Sequence, residues 1–113
     1  SITQFMADAV RAQSVFKVVA VNDRGMEAAY VLSGNIERLE EVDQGSEVQA
    51  VCTISAQLLN VQTKSVVWSQ TASETVPVES RNVPGVVRSL STAARITVER
   101  LAESMVKELT PSR

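Results

Sequence analysis

From residue 48 to residue 58, apolar side chains fall on every second position: Val48, Ala50, Cys52, Ile54, Ala56 and Leu58. Gln49, Val51, Thr53, Ser55 and Gln57 stand between them. Successive side chains of a strand point to opposite faces, so this spacing predicts a strand with one buried face; a helix would scatter the same residues around its circumference. Val66, Trp68, Gln70 and Ala72 alternate in the same way with Val67, Ser69, Thr71 and Ser73, and a short polar run, residues 60–64, separates the two segments. That pattern predicts an antiparallel hairpin.

The flanking segments extend the sheet. Residues 28–41 alternate, with Tyr30, Leu32, Gly34 and Ile36 on one face and Ser33, Asn35 and Glu37 on the other, and residues 43–46 read as a turn. Residues 16–21 are β-branched and apolar on both faces, which suits a strand covered on both sides or lying inside the sheet, and residues 22–25 form the next turn signal. Ahead of them, Ser1 and Gln4 have capping-box spacing, and Ile2, Phe5, Met6, Ala9 and Ala12 recur at helical intervals, which predicts a helix over about residues 2–13. After the hairpin, Pro77, Pro84 and Gly85 mark residues 74–85 as a connection.

A second helix is expected over residues 84–109, burying a stripe of Val87, Leu90, Ala94, Val98, Leu101, Met105 and Leu109. Arg95 with Glu99, and Glu103 with Lys107, are surface pairs four residues apart. The expected fold is therefore α+β, an antiparallel four-stranded sheet with two helices packed on it in the order α-β-β-β-β-α. At 113 residues, 44% hydrophobic and 21% charged, the chain (residues 1–113) is the size of one domain with its own core.

Several chemistries lack their side chains. The chain contains no His, so neither a Ser-His-Asp nor a Cys-His relay can be assembled, and zinc would have to be held by one Cys and carboxylates. Cys52, on the apolar face of its strand, reads as a small buried hydrophobe and leaves no internal disulfide. Glu37, Glu40, Glu41 and Asp43 straddle a strand end and a turn, where solvated charge is expected. Gly34 and Gly45 are isolated and make no phosphate-cradling loop; Gly34 reads as a place for close packing or a bend. No catalytic residue, metal or cofactor is expected, and the chain reads as non-enzymatic. A net charge of −2 with no clustered Lys and Arg argues against nucleic acid. The apolar runs are strand-sized and too short to span a bilayer as a helix.

What remains are surfaces. The hairpin face bearing Val51, Thr53, Ser55, Val67 and Ser69, with Gln57 and Thr71, is rich in hydroxyl groups and poor in charge; it is either solvated or seated against another subunit. Trp68 reads as core. Ile96 is expected to point away from the helix stripe, either as a lone exposed apolar residue or as a partner contact.

In order and spacing, these segments resemble a known family. A helix leads into Phe16-Lys17-Val18-Val19, followed by Tyr30-Val31-Leu32-Ser33-Gly34-Asn35-Ile36 running into Glu37-Arg38-Leu39-Glu40. Then come the alternating strand ending Gln57-Leu58-Leu59-Asn60-Val61-Gln62-Thr63-Lys64, the Val66-Val67-Trp68-Ser69 segment and the long last helix. Over roughly residues 3–109 the chain resembles the ABC-type transport auxiliary lipoproteins, a family that includes a paraquat-inducible, MCE-associated (mammalian cell entry) lipoprotein. The resemblance implies a fold similar to the N-terminal domain of the Tol-Pal propeller protein. It also implies a non-catalytic periplasmic component, commonly held at the outer membrane of a Gram-negative bacterium, that works beside ABC transporter and MCE components in moving lipids or other hydrophobic compounds. Self-assembly is a further implied property, since some relatives form rings. The family's domain usually begins with another strand, and its precursors carry a signal peptide and a lipidated Cys. The expectation is therefore that the lipid anchor and first strand lie outside this chain. Related folds also serve as envelope assembly or regulatory modules, such as peptidoglycan synthase activators and secretion-system lipoproteins, which is the rival expectation.

Overall fold

The computed structural model describes residues 13–21, 25 and 27–110. Four strands, β1 (Gln13–Val21), β2 (Glu27–Gln44), β3 (Glu47–Asn60) and β4 (Val66–Pro77), are followed by one helix, α1 (Val83–Leu109). All neighbouring strands are antiparallel, in the sheet order β1-β2-β3-β4.

The α-β-β-β-β-α arrangement with two helices on the sheet is corrected. Among the described residues one helix packs on the sheet, and the unit it covers is β2-β3-β4-α1, a β-β-β-α fold; β1 touches only β2. The similarity to the N-terminal domain of the Tol-Pal propeller protein, which the family resemblance implies, is corrected with it. The helix expected over residues 2–13 lies outside the described residues except at its last position, where Gln13 opens β1 and pairs with Asn35. Periodicity alone could not separate the end of an amphipathic helix from the start of a strand there, because Ala12, Gln13 and Ser14 suit either.

The hairpins close as their residues require. Between β2 and β3 only Gly45 and Ser46 intervene, and Gly45 sits at φ 65°, the left-handed region that the first position of a type II′ turn demands and that glycine enters without steric cost. Between β3 and β4 the Asn60 side-chain oxygen accepts from Gln62 N (2.9 Å) and Thr63 N (3.0 Å), and its carbonyl accepts from Lys64 N. This is how Asn shapes a turn. β4 runs to Pro77, beyond the expected stop near residue 73, and α1 begins at an Asn82 cap whose side-chain oxygen accepts from Gly85 N at 2.8 Å.

Gly85 is needed for proximity: a Cβ there would collide with the Ser80 carbonyl. The core lies between α1 and the near faces of β3 and β4. Val48, Ala50 and Cys52 meet Val86, Leu90 and Ala93 at one end, and Leu58 and Trp68 meet Leu101 at the other. Thr97, fully buried, satisfies its hydroxyl by donating to Ala93 O at 2.7 Å. The buried stripe is thus Val86, Leu90, Ala93, Thr97 and Leu101. It is offset from the expected one, of which Val87, Val98 and Leu109 are exposed. Apolar residues on adjacent positions permit either stripe, and the sheet selects the one with small residues at the closest approach.

Candidate functional site

Among the described residues one helix lies on this sheet, and it cannot cover all of it. Strands stand about 4.8 Å apart and a helix with its side chains is about 10 Å across, so α1 shields about two strands. It packs mainly on β4 and β3 and reaches β2 only at its margin. The result is an open groove of about 290 Å³ between α1 and β2, with Leu32, Gly34, Ile36, Ile54, Ala56 and Trp68 along the sheet and Val98, Leu101, Ala102 and Met105 along the helix.

The register explains why the groove is apolar. Leu32 pairs with Leu58, Gly34 with Ala56 and Ile36 with Ile54, so all six occupy the helix-side face. A bulge between Ile36 and Arg38 then leaves Glu37 unpaired and swaps the alternation, so that Leu39, opposite Cys52, keeps an apolar residue on that face. The one aromatic polar group near the groove is turned elsewhere: Trp68 Nε1 donates to Ser104 Oγ at 3.1 Å. No lining residue carries a formal charge. Such a surface binds by shape and burial of apolar area. Gly34 forms part of its floor, and a Cβ there would meet only Ser55 O at an ordinary 3.6 Å, so the residue keeps space open instead of permitting a close contact.

The opposite face of the hairpin holds the expected partner residues, and the structure separates them. Ser69 is exposed, and Thr53 and Ser55 are half-buried; Val67, left unpaired by a bulge between the Leu58–Trp68 and Leu59–Val66 pairs, packs instead against the Leu58, Trp68 and Leu101 cluster; Val51 is buried, at 7% exposure. Val51 therefore cannot present a contact surface: it pairs with Glu40 on β2 and Thr75 on β4, and the ion-paired Arg38 and Glu40 stand beside it, where long side-chain stems shield it. Thr53 Oγ1 and Ser73 Oγ lie 2.7 Å apart, and Ser55 Oγ donates to the Glu37 carboxylate at 2.8 Å. Thr53 and Ser73 thus make a cross-strand hydroxyl pair on a face that also carries Glu37, Arg38 and Glu40.

Ile96 is half-buried and does not point straight outward. With the buried stripe in its observed place, Ile96 lies on the flank of α1 that overlooks β4, in line with Ser89, whose hydroxyl donates to Pro77 O, and with Arg100, which pairs with Glu74 at 2.9 Å. The groove and this flank are opposite sides of one helix. Sequence reasoning missed the groove because it exists only once register and helix position are fixed; the exposed Val98 and the half-buried Met105 line its helix side.

Cys52 is buried, and burial pushes its thiol pKa up from 9.0, while its hydrogen bond with Thr97 pulls the other way. A neutral thiol in that position is packing, as its place in the strand suggests. Among the described residues no group of three or more His, Cys, Asp or Glu side chains stands close enough to hold a metal, and no helix is long and apolar enough to cross a membrane. Compared with protein-family models, curated proteins and solved structures, the chain gives no match.

Proposed function

We propose that this chain is a non-catalytic component of an ABC-type, MCE-linked transport system of the bacterial envelope, working in the periplasm at the outer membrane through contacts with transporter or MCE proteins. The segments quoted above suggest that family, and the observation that carries the reading is the open groove between α1 and β2. An uncharged apolar channel of this size is a seat for an apolar partner segment or part of a hydrophobic cargo, and it offers no positioned acid, base or nucleophile. The rival, an envelope assembly module such as a cell-wall synthase activator, would use the same contacts on a different partner.

The experiment is affinity isolation of the tagged full-length protein from its own envelope, beside a Gly34→Leu variant that fills the groove floor. The expected result is recovery of an ABC transporter or MCE component with the parent chain and its loss with the variant. Recovery of a cell-wall synthase instead would establish the rival, and recovery of neither would contradict the proposal.

A further inference from the structure

We draw no further inference here: the strongest candidate, the apolar groove between α1 and β2, belongs to the site already described, and nothing in the structure shows what covers it.

Discussion

The half of the sheet under α1 and the half beyond it are made of similar residues and have opposite fates. β3 and β4 place Val48, Ala50, Cys52, Leu58 and Trp68 against the helix and bury them, whereas Leu32 and Ile36 on β2, no less apolar, remain half-buried beside open space. Hydrophobicity decides which face turns inward, and the number of covering elements decides how much of that face is satisfied. The covered half supplies stability, and the open half supplies a surface.

Matched truncations sharpen that contrast. Leu90 is 3% exposed in the middle of the covered half, and Leu90→Ala should cost about 2–5 kcal/mol by urea denaturation, while Leu32→Ala, beside the groove, should cost about 1 kcal/mol, because the space around it is already open. Equal costs would mean that the groove is closed in solution. Next in size is Gly85→Ala, expected to lose about 1–3 kcal/mol although alanine is the better helix former, since the new Cβ meets the Ser80 carbonyl where α1 is tied to the end of β4. Trp68→Phe removes the donor to Ser104 and should cost about 1 kcal/mol in the same assay.

How far the sequence foretells this contrast depends on the element. The β3–β4 hairpin is legible because its alternation is strict and Asn60 punctuates it. The long helix is legible too, but its buried side is not, since valines at 86, 87 and 98 and alanines at 93 and 94 allow neighbouring stripes; only the sheet beneath it chooses. The bulge at Glu37 is hidden because Glu37 and Arg38 are both polar, so a swap of faces leaves no mark until Leu39. Val51 misled for the converse reason, an apolar residue on the polar face that the long side chains of a neighbouring strand cover. Which strands α1 covers is a tertiary fact, and the groove that it leaves among the described residues could not be read from the pattern.

The smallest effects lie at the extremes of exposure. Val98, 54% exposed at the groove rim, should tolerate Val98→Gln within about 0.5 kcal/mol, in contrast to its buried neighbour Leu101. Cys52 should resist thiol reagents in the native chain and react only on unfolding. Its raised pKa means that the unfolded state ionises first, so its contribution to stability is complete below pH 9.0 and declines as pH rises through the higher native value. A pH series of denaturation midpoints on the parent chain and Cys52→Ala checks this: the alkaline loss specific to the thiol should vanish in the variant.

Native-state amide hydrogen exchange tests the division of the sheet most directly. Amides of β3 and the central turns of α1 are expected to exchange only through global unfolding, with β1, which among the described residues touches β2 alone and lies beyond the helix, exchanging much faster. Protection in β1 equal to that in β3 would contradict it, because a strand outside the helix-covered half would then be as firmly held as the core.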